Sequence, residues 1–381
     1  MSFKDLLYKY NNGTASIEEI KLVEEELGKY EAIEEYLSEK YNLDFEKDSL
    51  SENINNEAAV IKRNVNKKLR KVILTSVSIV FLILFTTYYI VSPLVSSFYY
   101  NPSKKTVGKY FDDLYFDLRA YTELNFPGYA LYSASSEKLG FGEYDMYFER
   151  ENLFNRESKN INAKIKSNHI MERSKDFSPF NLGFWDIIFP STDRDEINKT
   201  QDNINYIKEL NPVSYVSASI IFKDDLSIKE FDDLQQKYFW QVQFKWAGVR
   251  TVNPGEPTHF ISGFNHNSDG SRTDDSADKD KYPYLQLADY FHEARDSIEE
   301  AYTKHFISLL TYMNDRQQFV KSLSSFEVEY YKNALNYVEK NGINIYGVLV
   351  YGEARDLLEF IDNEQIKTIE INSVLPSKYM N

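Results

Sequence analysis

Hydrophobic positions follow three regimes along the chain. They recur at helical spacing from Phe3 to Tyr41, run unbroken from Val72 to Val91, and then alternate with polar residues in shorter blocks. In the first regime Phe3, Leu6, Leu7 and Tyr10 predict a short amphipathic helix. Asn11-Asn12-Gly13 ends it, with Gly13 available as a left-handed cap. Ser16 followed by Glu19 is a capping-box pattern that opens a second helix. On that helix Ile20, Val23, Leu27, Tyr30, Leu37 and Tyr41 share one seam, interrupted by Glu34 and widened by Ile17, Ile33 and Tyr36. The other faces carry Glu18, Glu19, Glu24, Glu25, Glu26, Glu31, Glu35 and Glu39. Two helices this small bury little by themselves, so the stripe calls for a partner, either a second hairpin or a foreign protein. From Asp44 to Asn56 the text turns polar and reads as a flexible tether or a loosely helical stalk.

The second regime contains no charge between Lys71 and Lys104. About 20 apolar residues suffice to cross the hydrocarbon core of a bilayer, so a transmembrane helix is expected over 72–92. Lys62, Arg63, Lys67, Lys68, Arg70 and Lys71 crowd its N-terminal side, and only Lys104 and Lys105 follow it. Positive charge stays with the cytoplasm, which puts residues 1 to about 70 inside and those from about 93 outside. Phe98, Tyr99 and Tyr100 fall where aromatic anchors meet the outer interface. A cleaved signal peptide is disfavoured by the 70 or so residues ahead of the run.

The third regime predicts an extracytoplasmic part in two blocks. In 101–192 a helix leaving the membrane (103–120) precedes strand-like text from Tyr121, with turns at Phe126-Pro127-Gly128 and Gly140-Phe141-Gly142. Residues 156–210 are mixed and polar, and 193–205 read as a linker. In 206–381 the expected order is a strand (213–222), a turn at Asp224-Asp225, a helix opened by Ser227 and Glu230, a strand (239–249) and a long loop (250–281). Helices at 285–314 and 326–341, a strand (343–352), a helix (353–362) and a strand (366–374) follow. The fold class is α+β: a helical hairpin (1–43), a tether with a basic flank (44–71), one transmembrane helix, a β-rich block, and a domain with helices on one face of a mainly antiparallel sheet.

The net charge of −15 argues against nucleic acid as a direct partner. The acidic inner segment suits a basic protein surface instead. With no cysteine, the chain has no disulfide, thiolate zinc site or cysteine nucleophile. Of the five histidines, His169, His259, His266, His292 and His305, none is spaced from another like a helical metal pair. His305 is expected as an ordinary packed or surface side chain. The acidic loop 269–280 lacks the alternating ligands and closing glutamate of a calcium loop and reads as solvated. No phosphate-cradling loop or nucleophile elbow is present, so neither a catalytic residue nor a cofactor is expected.

The residues match a known pattern. Phe3, Leu6, Leu7, Lys9, Tyr10, Gly13, Ser16, Glu18 and Glu19 precede one membrane helix, and TELNFPG (122–128), LNPVSYVSASIIF (210–222) and YVEKNGINIYGVLVYG (337–352) follow it. Together they resemble the sigma factor regulator family, membrane-anchored anti-sigma factors of Gram-positive bacteria similar to the regulator of the extracytoplasmic-function sigma factor M. The resemblance implies inner helices that clasp a sigma factor, an outer domain that responds to envelope state or to a second membrane protein, and no catalytic residue. The zinc motif of one histidine and two cysteines carried by many anti-sigma domains is missing, so inhibition would be metal-free. Carried onto this chain, the sigma-binding candidates are Leu6, Leu7, Tyr10, Ile20, Val23, Leu27 and Tyr30. The alternative is a membrane-anchored envelope enzyme or structural protein whose inner segment only dimerises.

Overall fold

A computed structural model describes residues 3–40, 51–177, 183–188, 194–258, 260–266, 277–288 and 296–378. The chain divides into two compact units, 1–83 and 84–381. In the first, helix α1 (Phe3–Asn11) and helix α2 (Ile17–Lys40) form a hairpin. Helix α3 (Ser51–Thr86) starts within the expected tether and continues without a break through the basic flank into the apolar run. A π-helical turn at Thr87–Val91 and helix α4 (Ser92–Ser97) complete the rod. From Lys62 to Ser97 it is long and apolar enough to cross a membrane, and among the described residues nothing buries its apolar window.

The last helical turn, α4, belongs to the second unit and is fastened within it. The Ser92 and Ser96 hydroxyls accept hydrogen bonds from the backbone N–H groups of Phe141 and Gly142, at 2.9 and 3.0 Å. Gly142 has φ +78°, and a Cβ there would stand 2.7 Å from the Tyr99 ring, so both the turn and the close approach require glycine.

Helix α5 (Asp113–Asn125) begins ten residues after the expected start and is buried along its entire length. A helix enclosed on all sides shows no amphipathic stripe, and its C-terminal turn, Tyr121 onward, passes for strand text. Four strands then form an antiparallel meander: β1 (Tyr129–Gly140), β2 (Glu143–Asn152), β3 (Ser158–Lys166) and β4 (His169–Arg173). The expected turns at 126–128 and 140–142 are present, with positive φ at Gly128, Gly140, Phe141 and Gly142. β3 and β4 lie in text read only as mixed and polar. The inward positions of β3, Ile161, Ala163 and Ile165, are too modest a signal beside its lysines and asparagines.

After the short helix α6 (Trp185–Ile188), the expected linker is helix α7 (Arg194–Glu209), which packs against the last strand. The second sheet is built from β5 (Tyr215–Ser227), β6 (Val242–Val249), β7 (Gly263–Phe264), β8 (Asn344–Glu353) and β9 (Ile366–Leu375). Its order is β7-β6-β8-β5-β9, antiparallel throughout. Helices α8 (Ile228–Lys237), α9 (Ile298–Asp315), α10 (Gln317–Leu323), α11 (Ser325–Asn341) and α12 (Ala354–Asn363) complete the fold. The capping box of Ser227 and Glu230 forms as expected. Asp224-Asp225 is not a turn, because β5 runs through it with a register shift.

One core contains Leu131, Met146 and Phe148 of the meander together with Leu118 of α5, Val216 and Ile220 of the five-stranded sheet, and Phe306 and Leu310 of α9. A smaller core of Phe154, Phe184, Trp246, Tyr346 and Tyr351 covers the opposite face of the second sheet. The mixture of helix and antiparallel sheet is therefore as expected, and the two sheets share one core.

Candidate functional site

The hairpin is built by its caps. Gly13, at φ +67°, ends α1, and the next helix opens with the predicted box: Ser16 N–H donates to Glu19 Oε2 at 2.9 Å, and Glu19 N–H to Ser16 Oγ at 3.3 Å. Lys9 Nζ reaches Glu19 Oε1 at 2.9 Å and ties α1 to α2. Those contacts, the Ser16 backbone N–H first, hold the Glu19 carboxyl below its usual range.

The hairpin divides the candidate residues in two. Val23 is fully buried, and Leu6, Leu7 and Ile20 are half-buried with it. Tyr10, Leu27 and Tyr30 are exposed, Tyr30 at 63%. The reason is length. At 1.5 Å per residue, nine residues of α1 reach along only the first part of a 24-residue α2. Beyond that reach α2 also exposes Ile33, Tyr36 and Leu37, and nearer the bend Ile17 and Leu22. Ile17, Ile33, Tyr36 and Leu37 belong to the stripe read from sequence. Leu22 is the addition, and its place three turns before Ile33 on the same flank was the signal for it. Glutamates edge the exposed stretch, and Lys29 bridges Glu26 at 2.6 Å. Among the described residues, nothing covers this apolar stripe, and its margins are acidic.

The second unit has a polar centre. Buried Asp117 accepts hydrogen bonds from the hydroxyls of Tyr100 and Tyr312, both at 2.7 Å, and from Arg316 Nε and Nη2 at 2.6 and 2.9 Å. Arg316 Nη2 also donates to Asp113 at 3.0 Å, and Asp113 accepts from Thr106 and Val107. These bonds stitch the segment leaving α4 to α5 and to the junction of α9 and α10. His305 is packed: Nε2 lies 2.8 Å from Glu123 Oε1 and Nδ1 lies 2.6 Å from the Tyr284 carbonyl oxygen. His266 is buried, His169 exposed, and His259 and His292 lie outside the described residues, as does most of the acidic loop. Among the described residues no group of histidine and carboxylate side chains is arranged to hold a metal ion.

Residues 207–373, which contain the five-stranded sheet and its helices, match the family described as sigma factor regulator C-terminal. The probable anti-sigma-M factor YhdL of Bacillus subtilis (strain 168) is 30% identical over 69 residues. That match spans 18% of this chain and 19% of the relative's length. No solved structure shows a significant match. The C-terminal part of the chain thus matches a sigma factor regulator domain, and a short stretch of the chain is similar to an anti-sigma factor.

Proposed function

We propose that this chain is a membrane-anchored anti-sigma factor, a binding protein rather than an enzyme. Its N-terminal hairpin lies in the cytoplasm and sequesters an extracytoplasmic-function sigma factor. Its C-terminal body lies outside and responds to the state of the envelope, alone or through a second membrane protein. The observation that carries the reading is the exposed stretch of α2 from Leu27 to Leu37, on a chain whose residues 207–373 match a sigma factor regulator domain. Apolar anchors at helical spacing supply the contact. The glutamate margin favours the basic, DNA-contacting surface of a sigma factor and speeds encounter. The basic cluster at 62–71 supports the inside position of the hairpin.

The hairpin geometry chooses the test. Val23→Asp places a charge inside the hairpin and destroys its shape, so it cannot separate folding from binding. Tyr30→Asp with Ile33→Asp alters only exposed positions. In cells carrying this double variant at the native locus, transcripts of one sigma factor's regulon are expected to rise about tenfold or more, because losing two anchors costs at least ~1.4 kcal/mol. Membrane levels of the chain should stay unchanged. Unaltered transcripts at unaltered protein level would remove α2 from the interface.

A further inference from the structure

At the end of the second sheet where β6 begins and β8 ends lies a half-open cavity of about 490 Å³. Its lining includes Gln235, Trp240, Lys245, His266, Tyr351 and Lys378. The register shows how Lys245 comes to be there. Phe244 opposes Val350 and Trp246 opposes Leu349, so Lys245 is the extra residue of a β-bulge. The bulge sends Phe244 into one core and Trp246 into the other and leaves the lysine at the cavity wall. Bulges re-aim side chains in this way beside binding sites.

Two residues of the lining carry buried polar atoms without partners. His266 is 5% exposed and its buried Nδ1 has no hydrogen-bond partner. Gln235 Nε2 is also buried and unpartnered. Lys245 is held below the usual lysine range by burial, and Arg156 and Lys378 push it further, with no carboxylate acting to restore it. Burial, followed by the charge of Lys245, lowers His266 to about 3, so at neutral pH the imidazole is uncharged. The acidic groups of the wall are already engaged: Arg355 pairs with Glu353 at 2.7 Å and Asp356 at 3.5 Å. Lys245 has the Tyr351 ring 5.6 Å away but no carboxylate partner, and an anionic ligand that pairs with such a part-buried cation recovers the cost of burying it. At the rim Trp240 is 91% exposed and meets Phe239 edge to face. An indole face carries negative quadrupole charge and attracts the polarised C–H face of a saturated ring.

We propose that this cavity binds an acidic sugar, its carboxylate or phosphate against Lys245 and its ring on Trp240. That the sugar comes from the cell envelope rests on the orientation proposed above. Binding itself does not, so each idea can fail alone.

The test is calorimetric titration of the full chain in nanodiscs of zwitterionic lipid. Three probes serve: N-acetylmuramic acid, N-acetylglucosamine 1-phosphate and neutral N-acetylglucosamine. At least one acidic probe is expected to bind about tenfold or more tighter than the neutral sugar, and which one names the source of the charge. Lys245→Met should erase that preference. Trp240→Ala, at a fully open position that does not endanger folding, should weaken every probe about tenfold. No binding at millimolar sugar, equal affinity for the neutral probe, or an unchanged affinity in Trp240→Ala would overturn the proposal. So would Trp240 emission shifted to lipid-like wavelengths before any sugar is added, which would make the rim a membrane anchor.

Discussion

Asp117→Ala is expected to destabilise the C-terminal body by about 3–5 kcal/mol, the usual consequence of removing one partner from a buried, hydrogen-bonded ion pair. Asp117 is fully buried and accepts four hydrogen bonds. Alanine would orphan the Tyr100 and Tyr312 hydroxyls and leave Arg316 only its contact with Asp113. Thermal unfolding of the solubilised chain, followed by near-UV circular dichroism, should show Tm lower by roughly 10 °C. A Tm within about 2 °C of the parent would mean that the node is not structural. Because Tyr100 and Thr106 come from the segment leaving the rod, the same substitution should loosen the hold of the body on that segment, seen as faster proteolysis between residues 100 and 112.

Glu327→Gln should have the opposite sign and depend on pH. Glu327, in the first turn of α11, is buried, and its Oε2 has no partner. Burial raises its carboxyl from the ordinary 4.5 to about 8, against smaller opposing contributions from Arg173 and the Tyr121 hydroxyl. The folded chain therefore keeps a proton that the unfolded chain releases, and stability falls as pH rises from about 4.5 towards 8. The full linkage between those values is on the order of 5 kcal/mol. Glutamine matches the protonated acid in shape and never ionises. At pH 8 the variant should be more stable than the parent by about 2–4 kcal/mol, and near pH 5 the two should nearly coincide. Urea unfolding at both pH values checks this. A variant less stable at pH 8 would show that the carboxylate is charged and paired in the folded chain.

Legibility followed local chemistry. Gly13, the Ser16–Glu19 and Ser227–Glu230 boxes, the 140–142 turn and the apolar run were readable because each is decided by neighbours within a few residues. β8 was readable because a strand buried on both faces is a continuous apolar run. Helix α5 was misread because its polar groups are satisfied by partners far along the chain: Asp117 by Arg316, and Glu123 by His305. No local pattern records those pairings. Helix α7 passed for a linker because it is polar in overall composition, with only a narrow apolar edge, Ile204 and Ile207, turned to the core. The hairpin stripe was visible, but not which of its residues α1 would cover. Val23 and Tyr30 look alike on a helical wheel, and only the length of α1 separates them. Lys245 gave no signal, since a bulge is set by pairing across strands.

The most direct measurement is the composition of the complex the full chain forms in its native membrane. The chain, tagged at its C-terminus and solubilised in mild detergent, is purified from unstressed cells, and its companions are identified by mass spectrometry. One sigma factor should co-purify in near-stoichiometric amount, and the Tyr30→Asp, Ile33→Asp variant should lose it while remaining in the membrane. A chain that returns without any sigma factor, or a double variant that retains it undiminished, would contradict sequestration by the exposed face of α2.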